Sequence, residues 1–338
     1  MHSRSTSYGW GPHVSDGVDL GTVTPLRPFH RAISPMFFAL SGFLVAGSLE
    51  RSKTLLTFLA LRLIRIYPAL AVEVVLSAFL IGAAVTAFPL ATYFRDPLFL
   101  SYLLNVIGDI HFYLPGVFEN NPWPKVVNFQ LWTVPFELLC YVALTVLVLL
   151  GGVRRRVLIP LAALGLALAQ LIWLPTTGSH FTGTPLVVCF LAGVSLYLYR
   201  DKIVWSSRMF AGALIASIPL LWLVPFGDYL AILTLTYVTV YLGLTNFKRL
   251  SVIRGADYSY GIYLYGFVIQ QLFVYLAAPR FWWINALVCV PASALVAAFS
   301  WHFIEKPAQN LRKPLAVAER RYLAFKDHLR NQPNMGGQ

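Results

Sequence analysis

Residues 131–150 read LWTVPFELLCYVALTVLVLL. Twenty residues with one ionisable side chain, Glu137, suffice for an α-helix to cross the hydrocarbon core of a bilayer, about 30 Å at 1.5 Å per residue. The run lacks the strict alternation of a barrel strand, which would need only about 10 residues. Eight more runs of this kind lie at roughly 33–49, 68–88, 157–175, 184–199, 209–225, 229–246, 259–277 and 282–304. The pattern predicts an all-α, polytopic transmembrane bundle with about nine spans in this chain. Composition points the same way. The 338 residues are 58% hydrophobic and 12% charged, with a mean hydropathy of +0.67, whereas a soluble domain carries about 25% charge. Cys140, Cys189 and Cys289 all lie in apolar runs, which excludes a secreted disulfide scaffold.

The basic residues set an orientation. Of 26 lysines and arginines, 20 fall in alternate segments: Arg51 to Arg65, Arg154 to Arg156, Arg200 to Arg208, Lys248 to Arg254, and the tail after 304. The intervening segments hold six: Arg4, Arg27, Arg31, Arg95, Lys125 and Arg280. By the positive-inside rule the richer side is cytoplasmic, and so is the C-terminus. The net charge of +12 is divided among short turns. It therefore argues against a nucleic-acid partner, which would need one patch. With this orientation residues 1–32 begin outside without an apolar run to carry them across. The pattern therefore predicts one more helix before Met1, giving ten spans with both termini inside.

Residues 89–130 are expected to form a long outer loop, with an apolar stretch at Leu98–Val106 that dips into the interface. The tail alternates charged and apolar residues and reads as an amphipathic cytoplasmic helix. The chain thus divides into a membrane domain, 1–310, and a tail, 311–338.

Ionisable groups inside spans are costly, so each is a functional candidate. Glu137 lies about one turn inside its span. Glu73 falls near the cytoplasmic end of the 68–88 run, where it is expected to snorkel. Arg62 and Arg65, three apart, share one helical face and can fork onto phosphates; ordinary anchoring of a cytoplasmic loop is the plainer reading. Ser41-Gly42 puts small residues among aromatics, which suits close helix packing. Ser41 as a nucleophile would need a base the sequence does not supply. No His, Cys and carboxylate spacing resembles a metal site. P-loop, nucleophile-elbow and H-E-x-x-H motifs are absent.

Six motifs in order carry a family resemblance. They are Phe37-Phe-x-x-Ser41-Gly42-Phe-Leu, Arg62-x-x-Arg65-Ile-Tyr67-Pro68, Leu114-Pro-Gly-Val-Phe and Asn128-x-x-Leu-Trp132-Thr133-x-x-x-Glu137-x-x-x-Tyr141, then Asp257-Tyr-Ser259-Tyr260-Gly-Ile-Tyr263-Leu and Ser300-Trp-x-x-Ile304-Glu305-Lys306-Pro307. Together they resemble the integral-membrane acyltransferase family 3, which includes bacterial polysaccharide O-acetyltransferases, from His2 to about Pro307. That family usually has ten core helices, the first ending in a histidine, and His2 matches that position. The resemblance thus places the same missing first helix before Met1. Gly266 departs from relatives that carry histidine there.

The resemblance implies that Arg62 and Arg65 bind the phosphates of acyl-CoA, with acetyl-CoA the commonest expectation from the family, as a co-substrate with no bound cofactor. His2 would act as general base or acyl relay, oriented by Glu137. Asn128 and Trp132 would lie near the acceptor glycan, while Tyr260, Tyr263 and Glu305 would be packing and core hydrogen-bond residues. The implied reaction moves an acetyl or similar short acyl group to a hydroxyl of an extracytoplasmic glycan, in the bacterial inner membrane. A multi-span transporter or glycan exporter is the alternative, although the paired halves typical of transporters are not seen. An inactive relative is the reading for a chain that truly starts at Met1.

Overall fold

The structure, a computed structural model, describes residues 27–152, 154–177, 183–223, 227–245, 256–279 and 281–330. Among these residues the regular elements are helices, with one isolated antiparallel bridge between Tyr113 and Val126. The main helices are α1 (Arg27–Arg51), α2 (Leu55–Val75), the short α3 (Pro97–Leu103), α4 (Val134–Leu149), α5 (Leu158–Thr177), α6 (Thr184–Leu198), α7 (Ser207–Leu223), α8 (Ile232–Leu244), α9 (Ser259–Ala277), α10 (Trp282–Ser300) and α11 (Arg312–Arg330). Five helical stretches, those of α1, α2, α4, α9 and α10, are long and apolar enough to cross a membrane; α5 to α8 are shorter apolar helices at the other four expected positions. Exposed Leu, Ile, Val and Phe side chains occur on α2, α4, α5, α7 and α10, an outer surface suited to lipid.

The core pair is α1 against α6, which touch more extensively than any other two helices. The cause is two glycines. A Cβ on Gly42 would lie 2.0 Å from the carbonyl oxygen of Phe190, and one on Gly193 would lie 2.0 Å from that of Ala39. The two backbones therefore meet directly, as small residues permit in lipid. α4, α5 and α8 pack around α6, and α9 packs against α10 and α2.

α2 corrects the sequence reading. It starts at Leu55, not 68, capped by the Thr54 hydroxyl, which accepts from the Thr57 N–H at 3.1 Å. It runs through Pro68 and continues as a π-helical turn (Leu76–Gly82) and a last turn to Val85, 31 residues in all. At 1.5 Å per residue it spans about 46 Å, some 16 Å more than a hydrocarbon core. The excess is about the length from Leu55 to Arg65. Arginines and a proline end an apolar run in sequence, but they did not end the helix.

The expected outer loop is also more ordered than an open loop. Tyr93, Phe99 and Tyr102 are buried. Phe99 meets Tyr93, Phe94 and Phe79 edge-on, each at 5.2 Å between centroids. The Tyr93 hydroxyl donates to the Ala78 carbonyl at 2.6 Å, inside the π turn, and a Cβ on Gly82 would lie 2.1 Å from that hydroxyl.

Cross-helix bonds sort the connecting segments into two ends. At one end Arg200 pairs with Glu50 (3.2 Å), Arg156 donates to the Leu198 carbonyl (3.2 Å), Arg65 pairs with Asp257 (2.5 Å), and Thr54 donates to Glu319 (2.8 Å). At the other, Arg31 donates to the Leu221 carbonyl (3.0 Å) and Asn121 to that of Gln271 (2.9 Å). The first group joins the segments rich in lysine and arginine.

Gly42→Ala or Gly193→Ala is expected to force α1 and α6 apart and cost about 1–3 kcal/mol. Gly212→Ala, where an added Cβ meets nothing within 4 Å, should be neutral or gain up to about 1 kcal/mol. Thermal unfolding of the purified protein in detergent separates the two outcomes.

Candidate active site

The early start of α2 carries Arg62 and Arg65 into the bundle instead of leaving them in a loop. Arg62 donates through Nη2 to the Ser48 hydroxyl at 3.0 Å, and its Nε is buried without a partner among the described residues. Arg65 makes two ion pairs, with Asp257 at 2.5 Å and with Glu305 at 3.5 Å, and its guanidinium stands 5.6 Å from the centre of the Tyr260 ring. Asp257 precedes α9 and also accepts from the Ser259 hydroxyl at 2.6 Å. Burial opposes its charge, but Ser259 and then Arg65 outweigh that and hold the carboxyl below its ordinary range. Glu305 is only 3% exposed. Such a carboxylate requires a partner, and Arg65 supplies it.

Glu137, in the first turn of α4, accepts from the Tyr141 hydroxyl at 2.6 Å. It lies within electrostatic reach of both Arg62 and Arg65. Sequence reasoning set this carboxylate and the arginines near opposite faces; the early start of α2 and the entry of α4 through a 3-10 turn (Phe129–Thr133) bring them together. Tyr260 donates to the Ile66 carbonyl at 3.1 Å, fixing α9 on α2. Tyr263 sits next along α9, bonded to Thr133 (2.5 Å) and to the Gln130 carbonyl. Its ring stacks on Phe37, 6.1 Å away, and half-buried Ser41 lies one turn further along α1. Trp132 is half-buried and meets Phe136 edge-on at 5.9 Å.

A second polar cluster lies deeper. Glu73 is fully buried and does not snorkel, because it is eighteen residues into α2. One of its oxygens accepts from Ser77 at 2.7 Å and from Asn128 at 2.8 Å. Asn128, also fully buried, donates to the Leu264 carbonyl at 2.8 Å as well. Asn128 thus ties α2 to α9 where the chain enters α4. The four-residue spacings Glu73–Ser77 and Glu137–Tyr141 put each pair on one helix face, a signal by which Ser77 could have been found. The reach of Asn128 to Glu73 and of Arg65 to Asp257 had no signal in the sequence. His2 lies outside the described residues. Among the described residues no group of His, Cys, Asp and Glu could hold a metal ion.

The model of acyltransferase family 3, an acyltransferase domain, matches residues 1–303. The chain belongs to this family. It is an acyltransferase, as its six motifs implied. Nodulation protein 10 of Rhizobium leguminosarum bv. viciae is 29% identical over 311 residues, 83% of each chain. An O-acetyl transferase of Shigella phage Sf6 is 25% identical over 289 residues, covering 80% of this chain and 82% of its own. No solved structure matches the chain. In this acyltransferase the arginine pair, Glu137, Tyr260 and Glu305 converge at one end of α2, and Asn128 stands about 16 Å along it, beside Glu73.

Asn128→Ala should leave the Glu73 carboxyl with a lost donor and free the Leu264 carbonyl. The expected cost is about 2 kcal/mol or more, read as a lowered unfolding temperature. An unchanged temperature would mean that the cluster contributes nothing to the fold.

Proposed function

We propose that this acyltransferase takes an acetyl or similar short acyl group from acyl-CoA at its basic, cytoplasmic end. It delivers the group to a hydroxyl of a glycan on the outer side of the bacterial inner membrane. The observation that supports this most is the convergence of Arg62 and Arg65 with Glu137. Two guanidiniums suit the diphosphate of the donor, which they can grip by charge-assisted bonds. From there polar groups lead on through the bundle: Tyr263 lies within electrostatic reach of both Glu137 and Glu73. The relative named O-acetyl transferase favours oxygen as the acceptor atom. The basic residues, spread over short turns, meet lipid headgroups and donor, not nucleic acid.

In the reaction the acceptor oxygen bonds to the acyl carbon as the carbon–sulfur bond breaks. The hydroxyl proton passes to His2, the general base, and CoA leaves as a thiolate that takes up a proton. A carboxylate beside that imidazole would set the tautomer that can accept, the role the family resemblance implies for Glu137.

Two experiments test this reading. Arg62→Lys and Arg65→Lys keep the charge but lose the planar fork. Each should weaken acyl-CoA binding about tenfold, the effect of roughly 1.5 kcal/mol, and lower glycan acylation with the protein still in the membrane. Unchanged affinity in both would remove the arginines from the donor site. Orientation is checked with an impermeant thiol reagent on intact cells, against a low background because all three native cysteines are buried. Glu119→Cys should be labelled and Arg155→Cys should not; the reverse would invert the donor and acceptor sides.

A further inference from the structure

The C-terminal chain runs back along α2 and is pinned to it twice. Glu305 reaches Arg65 at 3.5 Å. Glu319 accepts from the Thr54 N–H at 2.8 Å and from its hydroxyl at 3.0 Å. As the tail advances from 305 to 319, its partners on α2 step back from 65 to 54, so the two segments are antiparallel. Arg312 lies seven residues from either pin. Seven residues are two helical turns, so Arg312 shares the face of α11 that carries Glu319, the face turned to α2. Arg62 occupies the corresponding interval on α2. Arg312 accordingly lies within electrostatic reach of both Arg62 and Arg65.

Guanidiniums held together repel one another; two carboxylates offset Arg65, whereas Arg62 and Arg312 have no ion pair among the described residues. Asp257 and Glu305 are paired with Arg65, and Glu137 accepts from Tyr141. Among the described residues Arg312 itself has no hydrogen bond or ion pair. A cluster of this kind suits a ligand with several negative charges.

We propose that Arg312 completes a three-arginine site with Arg62 and Arg65 and binds the phosphate monoester at the nucleotide end of the acyl donor. The inference rests on the acyl-CoA reading above and assigns the tail a part in it. The thioester must point into the bundle, toward Glu137, so the nucleotide faces outward. Arg62 and Arg65 are half-buried, whereas Arg312 is exposed. The outermost arginine therefore meets the phosphate farthest from the thioester, the 3′-phosphate on the ribose, and the diphosphate falls to the inner pair.

The test compares CoA with dephospho-CoA, which lacks only that phosphate, on the full chain in phosphatidylcholine nanodiscs. Arg312→Ala should weaken CoA binding about tenfold and leave dephospho-CoA unchanged. Arg312→Lys should recover part of the loss, because a monoester accepts a point charge. Arg320→Ala, on the same helix, should alter neither. Equal loss for both ligands, or no loss, overturns the proposal. Anionic lipid headgroups offer the same phosphate chemistry. An effect seen only when phosphatidylglycerol is added would assign Arg312 to lipid and overturn it as well. A wild-type protein that binds neither ligand would overturn the donor reading itself, whereas wild-type binding of CoA with an unaffected Arg312→Ala variant would remove only the tail from it.

Discussion

Arg65 makes one end of the bundle a single unit. Its guanidinium reaches Asp257 before α9 and Glu305 after α10, from a position ten residues into α2. A buried carboxylate such as Glu305 needs a cation, and a half-buried arginine needs anions; each makes the other tolerable in a poorly solvated place. Everything at this end follows from that pairing. It sets the height of α9 against α2, so that Tyr260 meets the Ile66 carbonyl. It also fixes where the tail leaves α10, and hence the path that brings Glu319 to Thr54.

The interior beyond it obeys the same constraint with neutral groups. Ser77 and Asn128 donate to one oxygen of Glu73, whose other oxygen is buried without a partner among the described residues, and Thr133 and Gln130 pair with Tyr263. Lipid offers no water to compensate a misplaced polar atom, so these bonds specify register as well as holding it. The apolar contacts do the complementary work: α1 and α6 approach through Gly42 and Gly193 until backbone meets backbone. Close packing there leaves little freedom for the helices that surround the pair.

Much of this was legible in the sequence where hydropathy alone decides. The run at 259–277 coincides with α9, and the runs near 157 and 184 begin where α5 and α6 do. The small pair Ser41-Gly42 signalled tight packing, and the structure puts Gly42 against Phe190. Reading failed where charge and helix overlap. Arg62, Arg65 and Pro68 hid the first turns of α2, and that error moved Glu73 toward the surface. The 89–130 segment was opaque for another reason. Its buried aromatics follow no single period, because Tyr93 and Phe99 fill gaps against α2 from two short helical pieces while Phe118 and Trp123 meet Tyr275 and Phe267 of α9 from outside any helix. Contacts such as Arg65–Asp257, 192 positions apart, are set by tertiary packing and leave no local trace.

The π turn of α2 has a consequence for phase. Each wider turn accommodates about one residue beyond the α-helical repeat, which offsets the following side chains by about 100° around the axis. The stripe that carries Arg62 and Arg65 is therefore out of step with the last turn near Val85. The Tyr93 hydroxyl occupies the carbonyl at Ala78, within the widened segment. A one-residue deletion between Leu76 and Gly82 would restore a regular helix yet swing the 86–130 segment to another azimuth. Insertions and deletions there should consequently be far less interchangeable than point substitutions, even though nothing in the apolar composition of LSAFLIG distinguishes it from any other stretch of spanning helix.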